Sequence, residues 1–405
     1  MKPVIALEDY RSIVGEETVA RIHRSARRLI GRRILHINST YQGGGVAELL
    51  NSIVPLMNDV GMDADWRILA GDYDFFEVTK EFHNGLQGRP FTLTEDKRRR
   101  YEDVNARFAS FAQLDRDVVL VHDPQALALV RFVKKRQPWV WQCHIDLASP
   151  QPQLLEYLKG FMLRYDLVLV SHPDYRRDDL AVEQRVVTPA IDPLAAKNVD
   201  LSQREIDRLL ARAGVPTDKP LLTQISRFDP WKDQLGSLEV FKLVRQECDC
   251  RLVLAGATAA DDPEAPAIFS EVARKAKRLV ESGDVILISR ESSSRTINAL
   301  QRSSAVVLQK SLREGFGLTV AEAMWKGRPV VASRVGGIPL QVADGETGSL
   351  VEPTDIKGAA AAVVRFLKDP GLADTMGRAG RERVRERFLI TRMLEDYLKI
   401  FGDVL

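Results

Sequence analysis

GRRILHINSTYQGGGVAELL (residues 31–50) joins a short apolar run to an amphipathic segment through three consecutive glycines. The apolar run at 33–38 predicts a β-strand, and the spacing of apolar residues from about Val46 predicts a helix. A strand that leads through a turn into a helix is the repeating unit of parallel α/β sheets. The stretch therefore predicts the first βα unit of such a sheet.

The same alternation of strand-like and helix-like segments continues along the 405 residues. The first half predicts further strands near 64–69, 118–122, 139–145, 167–171 and 186–190. The second half predicts strands in PLLTQISR, RLVLAGA, DVILIS, AVVLQ, PVVASR and GSLVEP. The pattern breaks at TPAIDPLAAKN (188–198), where prolines cluster. We therefore predict an α/β protein with two Rossmann-like doubly wound domains, residues 1–191 and 192–388, that face each other across a ligand-binding cleft.

Several segments between the strands have a distinct character. Residues 16–30 predict an arginine-rich helix, 46–61 and 124–137 predict further helices, and 92–113 predict a long charged helix. FFEVTKEFHNGLQG (75–88) instead has the appearance of a recognition loop. These assignments surround the predicted strands with helices, as a doubly wound fold requires.

The composition excludes several classes of protein. A formal net charge of +2 provides no strong field for binding nucleic acid or an anionic membrane. The longest apolar runs are strand-sized, so no membrane span is predicted. MKPVIALEDYRS at the N-terminus lacks the apolar core of a signal peptide, and we therefore expect a cytoplasmic protein. The three cysteines predict neither a disulfide framework nor a zinc site.

The loop STYQGGG (39–45) is a candidate binding site. Its glycine amides precede a helix N-terminus, where backbone N–H groups can donate to phosphate or to a polar sugar. Glu48 stands at the last glycine position of a dinucleotide-binding loop, and no Lys-Ser/Thr pair follows as in a P-loop. A tight turn without a ligand is therefore an equal alternative.

Two cations occur in RFDPWKD (227–233), directly after the first predicted strand of the second half. Arg227 and Lys232 could stabilise the negative charge of a departing diphosphate at this position. At ~4 Å and an effective dielectric of ~20, one cation contributes on the order of 4 kcal/mol. A solvated pair on a surface turn is the alternative.

Metal ligation is a further hypothesis at two kinds of motif. Residues 63–65 and 72–74 both read D-x-D, a spacing used at metal–diphosphate sites, but their sequence contexts favour solvation and the recognition loop instead. His122, His144 and His172 each end a predicted strand of the first domain. A three-histidine metal site is one hypothesis for them. We favour polar recognition of a hydroxylated ligand, with a structural hydrogen bond as the alternative for any one histidine.

SLREGFGLTVAEAMWKG (311–327) contains two acids with seven residues between them. Glu314 precedes Gly315-Phe316-Gly317, whose amides lie at a helix start and can donate to phosphate or to sugar hydroxyls. Glu322 lies two turns along that helix among apolar residues, so it needs a polar partner. Vicinal ribose hydroxyls are such a partner in other doubly wound sites. We therefore predict that Glu314 and Glu322 each bind part of a ligand, rather than acting together as a catalytic acid/base pair.

With these motifs the chain resembles the retaining glycosyltransferases of family 4, which have the GT-B fold. Glu314 and Glu322 match the family's E-x7-E pattern, and Arg227 and Lys232 match its basic pair. The glycines at 43–45 and VGGIPLQVADGETGSLVEP (335–353) match its glycine loop and its late segment. More narrowly, NSTYQGGGVAELL, FFEVTKEFHNGLQG, WQCHIDLASP, RFDPWKD and SLREGFGLTVAEAMWKG resemble the trehalose glycosyltransferring synthases.

The resemblance implies roles for individual residues. The donor would be bound by Gly44, Gly45, Arg227, Lys232, Glu314, Gly315, Phe316, Gly317, Leu318 and Glu322. The acceptor would be placed by Tyr41, Gln42, Gly43 and Asp146. Catalysis would depend on His144, beside the oxocarbenium-like centre, together with Glu314, Arg227 and Lys232. A C-terminal helix at about 389–405 would pack back onto the first domain.

The resemblance also implies the reaction. Glucose would pass from a nucleoside-diphosphate glucose to free glucose with retention, reversibly, and the leaving phosphate would take the acceptor's proton on the same face. No cofactor and no dedicated metal site are expected, and Mg²⁺ would at most stimulate. UDP-, ADP- and GDP-glucose remain open as donors, and a homodimer remains open as the assembly. The alternatives are a retaining trehalose phosphorylase, in which phosphate replaces the nucleotide, and a two-domain sugar-binding protein without turnover.

Overall fold

The structure is a computed structural model that describes residues 5–41, 44–256, 264–289 and 292–405. The chain forms two compact units. Unit 1 consists of Met1–Ala190 and Ile390–Leu405, and unit 2 consists of Ile191–Leu389. The domain boundaries expected from the sequence were 191/192 and 388/389.

Unit 1 is built on a parallel sheet in which the described strands have the order β2-β1-β3-β4-β5-β6. The strands are β1 (Arg33–Asn38), β2 (Asp63–Ile68), β3 (Val118–His122), β4 (Trp139–Cys143), β5 (Leu167–Val170) and β6 (Gln184–Val186). β3, β4 and β5 are buried along their whole length, as expected for parallel strands covered on both faces. The chain changes direction across the sheet between β1 and β3, and open α/β sheets bind ligands outside the carboxyl ends of the strands at such a switch point.

Helices cover the sheet of unit 1. They are α1 (Arg11–Val14), α2 (Glu16–Ala26), α3 (Gly45–Asp59), α4 (Tyr73–Leu86), α5 (Glu95–Phe111) and α6 (Pro152–Met162). Side-chain caps set where two of them begin, because Asp72 Oδ1 accepts the Phe75 N–H at 2.9 Å and Thr94 Oγ1 accepts the Lys97 N–H at 3.3 Å.

Unit 2 repeats the architecture with a second parallel sheet, whose described strands have the order β12-β11-β10-β7-β8-β9. The strands are β7 (Leu221–Ile225), β8 (Arg251–Ala255), β9 (Val285–Ile288), β10 (Ser304–Gln309), β11 (Val330–Ser333) and β12 (Ser349–Val351). This is the strand order of the dinucleotide-binding Rossmann fold, and its switch point lies between β7 and β10.

The helices of unit 2 follow the same pattern. They are α7 (Gln203–Ala213), α8 (Gln234–Val244), α9 (Ala265–Glu281), α10 (Ser294–Ser303), α11 (Leu318–Trp325), α12 (Ile338–Gln341), α13 (Ile356–Lys368) and α14 (Pro370–Arg387). Throughout the ranges that the structure covers, no helix has the length and apolar character needed to traverse a lipid bilayer.

The helix α15 (Ile390–Val404) follows unit 2 in sequence but packs against α2 and α3 of unit 1. Arg21 Nε donates to Glu395 Oε1 at 2.5 Å, and Tyr397 Oη donates to Gln142 Oε1 at 2.6 Å. The buried face of α15 contains Ile390, Met393, Leu394, Tyr397, Leu398 and Phe401. Unit 1 is therefore completed by residues from the far end of the chain.

Most local predictions agree with the structure, and two are wrong. Every predicted strand is present, although β6 lies at 184–186 rather than 186–190. The expected recognition loop at 75–88 forms most of α4. The expected helix at 124–137 is reduced to a short 3-10 helix, Leu127–Arg131, in which four consecutive residues are buried.

Candidate functional site

Two loops of unit 2 flank the switch point of its sheet. The loop after β7 contains Arg227 and Lys232, and the loop after β10 contains Glu314. Lys232 Nζ lies 2.6 Å from Glu314 Oε2, and both side chains are largely buried. The structure therefore brings a predicted cation and a predicted acid together at the sheet edge where such folds bind ligands.

Three side chains donate to the same oxygen of Glu314. Besides Lys232, Gln309 Nε2 donates to Oε2 at 3.3 Å and Ser311 Oγ donates to it at 3.2 Å. These charge-assisted bonds fix the orientation of the carboxylate. The Lys232 ammonium has three protons, so it can bind Glu314 and also donate to a ligand. Sequence reasoning missed Gln309, although a glutamine that ends an apolar strand is itself a signal.

Arg227 lies on the same loop as Lys232 and is 35% exposed. Its Nη2 is 3.9 Å from Asp229 Oδ2. Gln234 Nε2 donates to the Arg227 carbonyl at 2.6 Å, and Gln224 Nε2 donates to the Lys232 carbonyl at 2.7 Å. The two amides therefore fix the backbone at both cations.

The turn Gly315-Phe316-Gly317 leads into α11, which begins at Leu318. Gly317 has a φ of +81°, in the left-handed region that favours glycine. Gln341 Nε2 donates to the Phe316 carbonyl at 2.5 Å, and the Gly337 N–H donates to the Gly315 carbonyl at 3.1 Å. The turn is therefore anchored to the start of α12, and the helix N-terminus that follows it is a favourable place for an anion.

Gly337→Ala is expected to distort this turn. A Cβ at residue 337 would lie 2.6 Å from Phe316 Cδ2 and 2.9 Å from Phe316 Cα. Because the backbone of Phe316 cannot move aside as a flexible side chain can, we expect a loss of about 1–3 kcal/mol of stability. Calorimetry would measure this loss, and titration with a nucleoside diphosphate would show weaker binding.

Gly160→Ala is the matched control for this variant. Gly160 lies in α6, and a Cβ there meets no atom within 4 Å. The substitution should leave the protein unchanged or stabilise it by roughly 0.5–1 kcal/mol. Equal Tm values for Gly337→Ala and the unmodified protein would contradict the predicted clash.

Glu322 lies inside α11 and is only 4% exposed. Its Oε2 accepts a hydrogen bond from Gln301 Nε2 at 3.2 Å, and its Oε1 lies 3.5 Å from Lys197 Nζ. The buried acid therefore has protein partners of its own. Sequence reasoning missed both partners, because both are distant from Glu322 in sequence. Lys197 lies in the proline-containing segment 188–198, and Gln301 lies in α10.

Lys326 follows α11 and is buried beside Glu322. Its Nζ donates to Asn198 Oδ1 at 2.8 Å and to the Glu322 carbonyl at 3.1 Å. Burial lowers the pKa of the Lys326 ammonium to about 7. The Glu322 carboxylate opposes this shift in pKa, and the cations Arg302 and Lys197 add to it. Lys326 therefore loses its proton near neutral pH.

The stability of the protein should rise with pH as Lys326 loses this proton. The folded protein releases the proton near a pKa of about 7, whereas the ordinary lysine pKa is 10.5. Between these values the unfolded chain binds more protons, so the free energy of unfolding increases, by up to about 1.4 kcal/mol per pH unit. Lys326→Met has no titrating side chain at this position, so its stability should not gain from the rise in pH. The Tm of the variant minus the Tm of the unmodified protein should therefore become more negative from pH 7 to pH 9. A Tm difference independent of pH would contradict this account.

Three histidines of unit 1 form a hydrogen-bonded column across neighbouring strands. His36 Nδ1 lies 3.0 Å from His122 Nε2, and His122 Nδ1 lies 3.0 Å from His144 Nε2. The adjacent rings are stacked, with centroids 5.3 Å apart in each pair. Sequence reasoning missed His36, which lies inside β1. His172 stands apart from the column, and its Nδ1 accepts the Asp174 N–H at 3.0 Å.

The structure does not support the metal-binding alternatives. Within the column, His36 Nδ1 and His144 Nε2 are each hydrogen-bonded to a nitrogen of His122, and His172 is not part of the column. Asp72 caps α4, and Asp74 pairs with Arg100 at 2.6 Å. Within the ranges that the structure covers, no group of three or more His, Cys, Asp or Glu side chains could hold a metal ion.

Burial keeps the three imidazoles of the column neutral. It lowers the pKa of His36 to about 3 and the pKa of His122 well below its ordinary value. Burial also lowers the pKa of His144, against the Asp123 carboxylate, which raises it. At neutral pH each ring therefore has one N–H group and one unprotonated nitrogen.

The backbone at the end of β4 is fixed by two acids, of which Asp146 is buried and Asp123 is partly buried. Asp123 Oδ1 accepts the His144 N–H at 2.8 Å, and Asp123 itself has a φ of +58°, which is uncommon for a residue other than glycine. Asp146 Oδ1 accepts the Ala148 N–H at 2.8 Å. His144 and Asp146 therefore lie in one rigid segment at the carboxyl edge of the sheet.

The glycine loop lies at the carboxyl end of β1. Gly44 is the residue before α3, and the helix begins at Gly45, close to the predicted start. Tyr41 is 62% exposed. Gln42 and Gly43 lie outside the described residues. The described part of the loop thus lies at the same edge of the sheet as the end of β4.

Known proteins match both halves of the chain. Residues 36–177 match the family described as "Trehalose synthase, N-terminal domain", and residues 205–383 match "Glycosyl transferases group 1". A trehalose synthase of Pyrococcus horikoshii is 46% identical in an alignment of 404 positions that covers 98% of this chain and 96% of that protein. A trehalose phosphorylase of Grifola frondosa is 28% identical in an alignment of 430 positions that covers 94% of this chain and 58% of that protein.

A solved structure shares the fold. The UDP-forming α,α-trehalose-phosphate synthase from Burkholderia xenovorans, in complex with glucose-6-phosphate, has a TM-score of 0.76 and is 16% identical in sequence. The match covers 92% of this chain and 100% of that chain. The two parallel Rossmann-like sheets and this likeness place the chain in the GT-B class of folds.

Within that class, the chain belongs to the trehalose synthase family. The fold class and the family expected from the sequence motifs are both confirmed. The protein is accordingly a glycosyltransferase that acts on glucose to make trehalose.

Proposed function

We propose that this protein transfers glucose from a nucleoside-diphosphate glucose to free glucose, with retention of configuration, and forms α,α-trehalose. The observation that carries the proposal is the contact between Lys232 and Glu314 at the switch point of unit 2. A cation and a carboxylate held side by side suit the two parts of a sugar nucleotide, the diphosphate and the sugar hydroxyls. The trehalose-phosphate synthase from Burkholderia xenovorans, which shares the fold, is UDP-forming. This supports a nucleotide as the leaving group.

The donor would be bound mainly by unit 2. Lys232 and Arg227 would neutralise the diphosphate, and Glu314 with the amides that follow it would bind the glucose. Glu322 would accept hydrogen bonds from the ribose hydroxyls, with Lys197 and Gln301 holding the carboxylate in place.

Residues of unit 1 would contact the reacting sugar and the acceptor. His144 would contact the donor glucose, and Asp146 with the loop at 39–45 would orient the acceptor. The bond between the anomeric carbon and the phosphate oxygen would break as the acceptor oxygen forms its bond on the same face. The leaving phosphate would take the acceptor's proton, so no enzymic nucleophile is needed, and the same steps can run in reverse.

Arg227 and Lys232 also affect whether the reaction needs a metal ion. Because Arg227 and Lys232 can supply positive charge at the diphosphate, we propose that no cofactor is required and that Mg²⁺ at most stimulates turnover. Enzyme treated with EDTA should keep most of its activity. Abolished activity that Mg²⁺ restores would contradict this part of the proposal.

A trehalose phosphorylase is the second candidate, because a relative of that name matches most of the chain. Inorganic phosphate would then replace the nucleotide. The higher identity to a trehalose synthase, 46% against 28%, favours the synthase.

The test is a panel of donors and acceptors. UDP-, ADP- and GDP-glucose are each incubated with glucose, and NMR assigns the anomeric configuration of the product. We expect α,α-trehalose together with release of the nucleoside diphosphate from at least one donor. Glucose 1-phosphate formed from trehalose and phosphate, with no reaction from any nucleotide, would favour the phosphorylase. Ligand binding without turnover would favour a sugar-binding protein.

The cellular location and the assembly of the protein are two further predictions. The cytoplasm is the proposed location, because nucleotide sugars are abundant there. A homodimer is the proposed assembly, and light scattering of the purified protein would test it.

A further inference from the structure

We propose that His36 and His122 are positioning residues that hold His144 as a neutral ring with its proton on Nδ1. His144 would then serve the reaction only as a hydrogen-bond donor. The inference rests on the proposed function in one respect, namely that His144 contacts the sugar.

The geometry of the column couples the three rings. His122 faces His36 through Nε2 and faces His144 through Nδ1. A neutral imidazole has one N–H group and one acceptor nitrogen, so His122 can donate in only one of the two contacts. If His36 donates to His122, then His122 must donate to His144, and the reverse order is the only alternative. The protons therefore point in one direction along the whole column.

The far end of the column decides between the two directions. His36 Nε2 is buried and has no hydrogen-bond partner among the residues that the structure describes. Protons pointing towards His36 would place an N–H group at this atom without an acceptor, and buried N–H groups of that kind are rare. The opposite direction leaves an unprotonated nitrogen there. We therefore assign the direction that runs from His36 through His122 to His144.

This direction fixes what His144 can do. The His144 Nε2 atom accepts a hydrogen bond from the His122 Nδ1–H group, so the single ring proton of His144 lies on Nδ1. Neither nitrogen can then take a further proton unless a hydrogen bond of the column is broken. Titratable groups in contact with the column include Asp123, which accepts the His144 backbone N–H, and Tyr397, whose ring packs edge-on against His36. His144 therefore does not compete with the leaving phosphate for the acceptor's proton.

Nuclear magnetic resonance of the full-length protein labelled with ¹⁵N-histidine tests the assignment directly. Long-range ¹H–¹⁵N correlations distinguish a proton on Nδ1 from a proton on Nε2, and His→Gln variants assign each ring. We expect Nδ1 protonation for all three rings of the column, unchanged from pH 6 to pH 8. An Nε2 proton on His144, or a doubly protonated ring in that range, would overturn the proposal. This result does not depend on any activity, so it stands apart from the proposed reaction.

A kinetic comparison tests the function of the column. His122→Phe removes the donor to His144, whereas His122→Gln keeps an amide N–H that can replace it. We expect kcat of His122→Phe to fall on the order of tenfold, the lower end of the loss seen when groups that orient metal-bound histidines are removed, with a new loss of activity at acidic pH. His122→Gln should recover most of kcat and the original pH profile, and KM should change little in either variant. Equal losses in both variants, with an unchanged pH profile, would show a purely structural role.

His23→Gln is the control, because His23 is exposed on α2 and contacts Glu8 rather than the column. If His122→Phe does not fold, His36→Phe breaks the far contact of the column while leaving the contact between His122 and His144. We expect the proton on His144 to become mixed between its two nitrogens in that variant. A retained Nδ1 proton would show that His36 does not set the direction.

Discussion

Lys232→Ala is expected to lower kcat for transfer from a nucleoside-diphosphate glucose by about 10²–10³-fold. The cation lies at the switch point of unit 2, where the developing charge of the leaving diphosphate would be located. Removal of one such charge-stabilising donor from a protected site typically has an effect of about that size. Because the charge develops mainly in the transition state, kcat should fall more than KM for the donor rises. Steady-state kinetics with saturating glucose would separate the two parameters.

Two variants control for this effect. Lys232→Arg keeps the charge and should recover part of the loss. Lys242→Ala removes an exposed lysine of α8 that pairs with Glu239 at 2.7 Å, and it should leave kcat within about twofold, because surface ion pairs contribute little. Equal kcat values for Lys232→Ala and the unmodified protein would remove Lys232 from the mechanism. The Tm of Lys232→Ala should be checked, because Glu314 loses one of its partners.

Glu322→Ala is expected to lower kcat/KM for the nucleotide donor by about 10²–10⁴-fold, chiefly through KM. Hydrogen bonds to a charged group contribute about 1.5–3 kcal/mol each, and the two ribose hydroxyls would lose theirs. The effect should be specific to the ribose. For this reason a 2′,3′-dideoxyribose analogue of the donor should be used about equally well by the variant and the unmodified enzyme.

Glu322→Gln separates the loss of binding from a loss of structure. Glutamine keeps the volume of the side chain and one acceptor oxygen, so this variant should fold normally and lose less affinity than Glu322→Ala. Inhibition by the free nucleoside diphosphate would report the same difference without turnover. If the unmodified enzyme uses the full donor and the dideoxy analogue equally well, or if Glu322→Ala uses the full donor as well as the unmodified enzyme does, the carboxylate has no contact with the ribose.

The strands could be predicted from the sequence because their burial leaves a local signal. A parallel strand covered on both faces, such as VVLVH in β3, is apolar along its whole length whatever its neighbours are. The error at 75–88 was avoidable, since Phe75, Phe82 and Leu86 recur at a helical spacing and are buried together in α4. The 124–137 segment gave no such signal, because an apolar run buried on all sides suits several local structures.

Motif spacing located the candidate site only in part. Glu314, Glu322 and Lys232 belong to recognisable stretches, and the structure gives each of them polar partners. The partners of Glu322 come from elsewhere in the chain, and Lys197 reaches it across more than a hundred residues of sequence. No local pattern specifies such a contact.

The histidine column illustrates the same limit. Its contacts depend on the strand order β1-β3-β4, which sets His36 beside His122 although the residues are far apart in sequence. His172 also ends a strand of the same sheet, but its ring turns back to cap the residues that follow it. Strand ends could be predicted, whereas the direction of each ring could not.

The place of α15 has a consequence for synthesis on the ribosome. Unit 1 begins first but lacks its closing helix until residues 390–404 have been translated, and by then the whole of 191–389 is available. The unit that is encoded second can therefore finish folding first. Until then, the apolar surface of α2 and α3 that α15 covers is left open on the nascent chain, where a chaperone could bind it.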